Sequence, residues 1–498
     1  MIRRAMQALL RVASISVAFG AVGCGKDSVT SPPPPVDYDA INPIVYSQHV
    51  QPIWEASCNA AACHNSTDHA LGVSLASYAD VAKGGAYGSE VLPYHPDRSH
   101  LVQHMTGALA PRMPLATDPV DPAVIRLLNR WIADGAKNDD GKPMYSDVAS
   151  KAFVACQGDN ALAVLDLSNG LLIREIDVRV PHSVYVDVPS RRVYVSRFET
   201  ASDNIRVYDG DTLELVTSGE AGTYPALMKI TPDQSQLWVT NFDQVGGTNA
   251  DNAVHVLDPV TLASIAVLQP PGATQQQPHG LAMTADGSRV YVTNILTDNV
   301  TIFGTGIPGG SPSILDWDIR LPSPARAVHQ PQQCALSKDE KRLFVSALLT
   351  NRVYVLNVDE SDAGYRSFTA QVTVGSGPWN IALSPDGNEL WVANWTGKSV
   401  SVVDVSNPDS PMVVDTLTPT HPKDPTRLVL LRPIGIGFSP DGRVWVSCPN
   451  DDGSGSGHHP PPDGTRAPGD VVVFDRASRA VLSVTEVPFF ARFASFLP

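Results

Sequence analysis

Charge is scarce in this chain. Charged residues make up 17% of its 498 residues and aromatic residues 7%, against about a quarter charged in an average globular protein. Basic residues are in deficit, with 36 Lys plus Arg against 51 Asp plus Glu and a formal net charge of −15. That disfavours nucleic acid as a partner, because phosphate binding needs clustered positive charge. Cationic protein partners stay open through electrostatic steering. Long apolar runs are missing beyond the N-terminus, where no stretch approaches the ~20 residues of a spanning helix. There is no Gly-rich phosphate loop, no Ser/His/Asp constellation and no zincin motif. What is plentiful is glycine (37) and proline (42), which suits turn-rich β structure. The length predicts two to four domains, or one large repeat fold with a small companion.

Residues 1–24 begin with Arg3 and Arg4, continue through an apolar run from Ala13 to Val22, and reach small residues before Cys24. This is the pattern of a secretory signal, too short to span a bilayer once folded. Ala21-Val22-Gly23-Cys24 resembles the lipobox of bacterial lipoproteins, and the resemblance implies that residues 1–23 are removed and Cys24 is lipidated. Residues 24–40 hold the run Ser31-Pro32-Pro33-Pro34-Pro35, which favours an extended spacer. The expected location is therefore outside the cytoplasm, periplasmic or on the cell surface, with a lipid anchor as the only link to a membrane.

Six cysteines divide unevenly: Cys24 in the leader, Cys58 and Cys63 close together, and Cys156, Cys334 and Cys448 scattered. The local pair reads Cys58-Asn59-Ala60-Ala61-Ala62-Cys63-His64. A c-type haem takes two thiols and an adjacent imidazole, usually spelled C-x-x-C-H. Four residues intervene here instead of two. On an ideal helix, residues five apart lie about 140° from each other, so the segment must be looped if both sulfurs reach one porphyrin. The bland alternative is a disulfide in an oxidising compartment.

Residues 41–140 carry the cysteine motif, then Pro111-Arg112-Met113-Pro114, then a helical pattern over 122–136 ending Trp131-Ile132-Ala133-Asp134-Gly135. This arrangement resembles the small cytochrome c domains of planctomycetes and related bacteria. The resemblance implies one covalent haem c held by Cys58 and Cys63, with His64 as proximal and Met113 as distal ligand of the iron. Met105 and His104 are competitors for the distal position. Imidazole and thioether together suit electron transfer, and prolines on either side of Met113 would stiffen its loop. Ile125, Leu128, Trp131 and Ile132 share one helical side, and Gly135 is a stop signal.

After residue 150 a repeat appears. Val193-Tyr194-Val195-Ser196, Leu237-Trp238-Val239-Thr240, Val290-Tyr291-Val292-Thr293, Leu390-Trp391-Val392-Ala393 and their kin recur about 50 residues apart, a period that signals a propeller. A strand precedes each unit, starting at Pro181, Pro225, Pro278, Pro331, Pro378 and Pro433. The first unit, from Ala152, lacks one, and the chain end from Pro488 to Phe496 supplies it, closing the ring. Val290-Tyr291-Val292-Thr293-Asn294 matches the signature of the YVTN family of β-propellers, which the stretch 150–498 resembles. The expected fold is mainly β: a seven-bladed propeller preceded by a small all-α cytochrome c-like domain.

Residues following the first-strand prolines should gather at one mouth of the channel: His182, Ala226, His279, Gln332, Trp379, Ile434 and Phe489, with His329 nearby. His182 and His279 could ligate a metal or second cofactor, or could simply hydrogen-bond there. Cys156 and Cys448 hold equivalent strand ends in neighbouring blades, where a disulfide needs tight geometry. An insertion from Asp451 to Asp470 carries His458 and His459 and reads as a mobile loop. The favoured function is single-electron transfer to an unidentified redox partner protein, with the propeller as scaffold or docking module. The alternatives are a redox enzyme with a second cofactor in the funnel, resembling nitrite reductases, and a non-redox surface binding protein.

Overall fold

A computed structural model describes residues 36–86, 88–115, 117–242, 251–271, 276–322, 325–422, 424–450 and 467–498. The leader, Cys24, most of the Pro-rich segment, and His458 and His459 lie outside the described residues.

Seven four-stranded antiparallel sheets make up the larger part. In each, the strands carrying the repeat are buried almost throughout, as in Glu389–Asn394 and Ser399–Asp404. The outermost strands, such as Met412–Leu417, alternate exposed and half-buried residues. Each blade therefore presents a wet outer edge, and its apolar faces pack on the neighbouring blades. Strands begin at Pro181, Pro225, Pro278, Pro331 and Pro378 as the repeat predicts; the last begins at Gly435, two residues beyond its proline. A two-stranded ribbon, Thr420–His421 with Asp424–Leu428, precedes the last blade.

The ring closes where the sequence places the seam. Ala491–Leu497 pairs antiparallel with Lys151–Cys156, and the order continues through Ala161–Asp166 to Leu172–Asp177. The first blade is thus made of both chain ends. Phe153, Val154 and Leu497 are fully buried there.

The N-terminal part is a small helical unit. Its helices are α1 (Gln51–Ser57), α2 (Tyr78–Val81), α3 (His100–Thr106) and α4 (Pro122–Ala133). In α4 the Asp121 side chain caps the first turn by accepting from Ala123 N–H at 2.8 Å. Its buried side is Val124, Leu127, Leu128, Trp131 and Ile132, so the apolar stripe is centred one residue from the expected one and Ile125 lies at its margin. Gly135 follows with φ +91°, and a side chain there would strike the Tyr94 ring. The end of the expected linker is already docked: Arg126 pairs with Asp39, and Arg130 donates to the Tyr38 and Ile41 carbonyls. No helix among the described residues is long and apolar enough to cross a membrane.

The helical unit sits across the seam, on the outer strands of the first and last blades. Arg98 pairs with Glu175, whose side chain is 4% exposed; His95 meets the Glu175 carbonyl at 3.2 Å, and the Arg174 guanidinium lies 3.5 Å from the Tyr94 ring centre. Leu92 joins the apolar cluster of Ala152, Trp445 and Val487. Removing one partner of a buried pair leaves an uncompensated charge. Arg98→Ala should therefore cost about 3 kcal/mol, read as a fall in apparent Tm, and Arg98→Ala with Glu175→Gln should recover most of it. Deleting residues 491–498 would leave the Lys151–Cys156 edge unpaired; the expected result is loss of cooperative unfolding, followed by calorimetry and size exclusion.

Candidate functional site

Helix α1 stops at Ser57, and Cys58 already has non-helical φ −124°. From there the chain forms the loop that the wide cysteine spacing calls for. Cys63 N–H donates to the Ala60 carbonyl at 3.1 Å, His64 N–H returns to the Cys58 carbonyl at 3.1 Å, and Ala62 takes φ +63°. Leu75 N–H donates to the His64 carbonyl at 2.7 Å. These bonds fix the histidine backbone on both sides.

The imidazole is fixed as well. His64 Nδ1 lies 3.1 Å from the Val73 carbonyl oxygen. A carbonyl only accepts, so Nδ1 carries the hydrogen, and Nε2 keeps its lone pair for another acceptor of electrons. This is the arrangement that metal-ligating histidines adopt, in which the second nitrogen is oriented by a carbonyl or carboxylate.

The Met113 loop borders the same cavity as His64. Met113 N–H donates to the His104 carbonyl at 2.9 Å, and His104 Nδ1 lies 2.9 Å from the Pro111 carbonyl. Cys58, His64 and Met113 all line one cavity of about 430 Å³, within the usual range for a ligand site. Its remaining walls are largely apolar, among them Leu71, Val73, Leu75, Leu101 and Leu109. His104 and Met105, the competing ligands, open onto the same space. Cys63, half-buried, is not part of the wall. A cleft of about 630 Å³ borders Pro114 but holds none of the four candidate ligands.

Cys58 and Cys63 are free thiols, as are Cys156, Cys334 and Cys448. Burial, with the nearby Cys63, pushes the Cys58 thiol up to about 11. Cys156 and Cys448 are wholly buried and held well above the ordinary thiol range by burial, which keeps them protonated and unreactive.

The histidines expected at the channel mouth form a second cluster, and both are buried. His182 and His279 meet with ring centres 5.7 Å apart, His182 stacks on Phe198 at 4.8 Å, and Trp379 lies 6.4 Å from His279. The His279 Nδ1 faces the Gln332 carbonyl at 3.0 Å. His329 goes elsewhere, onto Tyr354 at 5.0 Å. Among the described residues no group of three or more His, Cys, Asp or Glu is poised for a metal ion.

Repeat reasoning overlooked Arg492, which is wholly buried, donates to the Gln157 side-chain oxygen at 2.9 Å, and lies over Phe493. Its position at the start of the seam strand is the signal that could have found it. Burial holds its guanidinium down to about 9, and burial, helped by the Arg492 charge, holds His279 down to about 4. A histidine kept neutral in the fold stabilises above its unfolded value of about 6.5, and that contribution fades as pH falls towards 4. Denaturation of His279→Leu at pH 7 and pH 4 should show a smaller acid penalty than the parent, by about 3 kcal/mol.

The comparisons fit this architecture. A family model described as "Lactonase, 7-bladed beta-propeller" matches residues 316–449, from the last strand of the fourth blade into the seventh. A putative 6-phosphogluconolactonase from Bacteroides fragilis is 16% identical, with 72% of this chain and 100% of that chain covered and a TM-score of 0.51. The periplasmic gluconolactonase of Pseudomonas aeruginosa is 16% identical over 70% of this chain and 99% of that one, TM-score 0.51. No curated protein matches the chain. The molecule is a seven-bladed β-propeller with a small helical N-terminal unit. At these identities the likeness is one of fold.

Proposed function

We propose that the helical unit binds one haem c and that the protein transfers single electrons, the propeller serving as scaffold and docking body for a redox partner. One observation carries this reading: Cys58 and His64 of the cysteine motif and Met113 from a distant loop line a single, largely apolar cavity, with the His64 ring already oriented by the Val73 carbonyl. Two thiols, an imidazole and a thioether are the donor set that a c-type haem takes.

Bound there, the haem would supply a one-electron ferric/ferrous couple. The chain's own contributions follow from its geometry. Cys58 and Cys63 would tether the porphyrin through their sulfurs. His64 would offer Nε2 to the iron, and its Nδ1–H bond to Val73 raises the basicity of that nitrogen. Met113 would offer its sulfur from a loop pinned to His104. The apolar walls would keep water from the group, which suits electron transfer better than oxygen chemistry. The lactonase descriptions belong to the related proteins and come through the propeller alone, and one fold hosts many functions. An exported, lipid-anchored setting through Cys24 is part of the same reading, as thioether attachment takes place outside the cytoplasm.

Full-length protein matured with a haem-attachment system should gain the mass of one haem, lose two free thiols, and show the reduced α-band of a c-type cytochrome. Colourless protein with Cys58 and Cys63 bonded to each other would overturn the proposal. Met113→Ala should keep the haem attached, convert it from low to high spin, and lower its potential. An unchanged spectrum would transfer the distal role to His104 or Met105.

A further inference from the structure

The cavity shared by Cys58, His64 and Met113 is apolar on most sides, but one wall carries Glu90, His100 and Glu486. Electron transfer as such needs none of them. Glu90 lies ahead of α3, and its backbone carbonyl accepts from Leu101 N–H at 3.0 Å. It is 9% exposed, and no described residue hydrogen-bonds its carboxylate. Glu486 comes from the other module, on the outer strand Val481–Val487 of the last blade. Its two oxygens face Arg427 Nη1 at 3.2 Å and His100 Nε2 at 3.9 Å.

The carboxyls of Glu90 and Glu486 thus close the same cavity from the two sides of the interface. Two acids sharing a low-dielectric wall do not both ionise easily. Burial, and then the charge of Glu486, push Glu90 up to about 7. The other ionisable groups facing it have different duties. Arg427 is committed to Glu486 and to the buried Asp470. Burial holds His100 below its ordinary value, so near neutrality it carries little charge. Tyr145 is raised by burial and stays neutral. His104, also on α3, is turned to the Pro111 carbonyl.

We propose that Glu90, backed by Glu486 of the propeller, is the proton acceptor of the redox site: as one electron arrives from a single-electron donor, one proton from solvent binds the Glu90 carboxylate, and both leave together. The only bond made or broken at Glu90 is O–H, and the site's net charge is the same before and after. The physical drive is electrostatic, since an added electron in a water-poor cavity is costly unless a proton follows it. This inference rests on the haem reading above and deepens it.

The test is a potentiometric titration of the full-length haem-loaded protein from about pH 5 to pH 9, spanning the raised carboxyl range. The midpoint should fall with rising pH by up to a tenfold change in the oxidised-to-reduced ratio per pH unit, about 59 mV for one electron. Glu90→Gln should flatten the profile. Glu486→Gln should move the sloping region to lower pH, because removing a neighbouring negative charge lowers the Glu90 pKa. Infrared difference spectra of the unaltered protein should show a protonated carboxyl gained on reduction, which decides the matter if Glu90→Gln fails to fold. A haem-loaded protein with a pH-independent potential, or with the same slope in Glu90→Gln, overturns this inference and leaves electron transfer standing. Protein that takes up no haem overturns both.

Discussion

The pairing of Ala491–Leu497 with Lys151–Cys156 is the constraint on which the rest of the molecule depends. It makes the first and last blades neighbours, and only then do their outer strands form one continuous platform. Thr485 of the last blade donates its hydroxyl hydrogen to the Gly170 carbonyl of the first at 2.7 Å, so the platform is stitched at its rim as well as at its core. The helical unit lies on that platform. Arg98 and Arg174 pin it to one blade's side, and His100 meets Glu486 on the other. A propeller that failed to close would still contain most of its strands but would have no surface on which this unit could complete its cavity.

Placement over the seam also covers outer strands that would otherwise invite edge-to-edge pairing. Leu172–Asp177 is a well-shielded outer strand, with Leu172, Ile173 and Glu175 all buried. By contrast, Leu215–Gly219 and Ser264–Leu268 keep alternate residues in water. The burial of Glu175 is a consequence of docking, and Arg98 is what makes it tolerable. Burial still lifts the Glu175 carboxyl above its usual range, which shows that desolvation outweighs the pairing.

Much of the fold was legible in the sequence because the strands nearest the channel obey strong local rules. They are buried on both faces, so each reads as a short apolar run such as Leu390-Trp391-Val392-Ala393, repeated in register. The outer strands carried no such signal: Met412–Leu417 mixes Met, Val, Asp and Thr with alternate exposure, and nothing in its spelling marks it as the fourth of a set. Of the candidate haem residues, Cys58, Cys63 and His64 stand out as one local motif, while the part expected of Met113 rested on the resemblance to small cytochrome c domains. Glu90 and Glu486 were not legible in either way, since a lone glutamate in sequence is ordinarily a solvated one. Their meaning comes only from a contact between modules almost 400 residues apart in the chain.

Two sites thus contrast within one ring. His182 and His279 are sealed among Phe198, Phe242, Trp379 and Phe493, where burial, helped by the nearby Arg492 charge, keeps His279 neutral. Such a place resists a change of charge, because every neighbour that could balance one is already committed to packing. The cavity of the helical unit is built the other way. It joins Cys58, His64 and Met113 on largely apolar walls to the Glu90 and Glu486 carboxyls at the interface, so under the proposed function charge arriving on one side would have a titratable group to answer it on the other. On electrostatic grounds alone, a site of variable charge belongs at the interface, and the ring's centre is better suited to holding the blades in place.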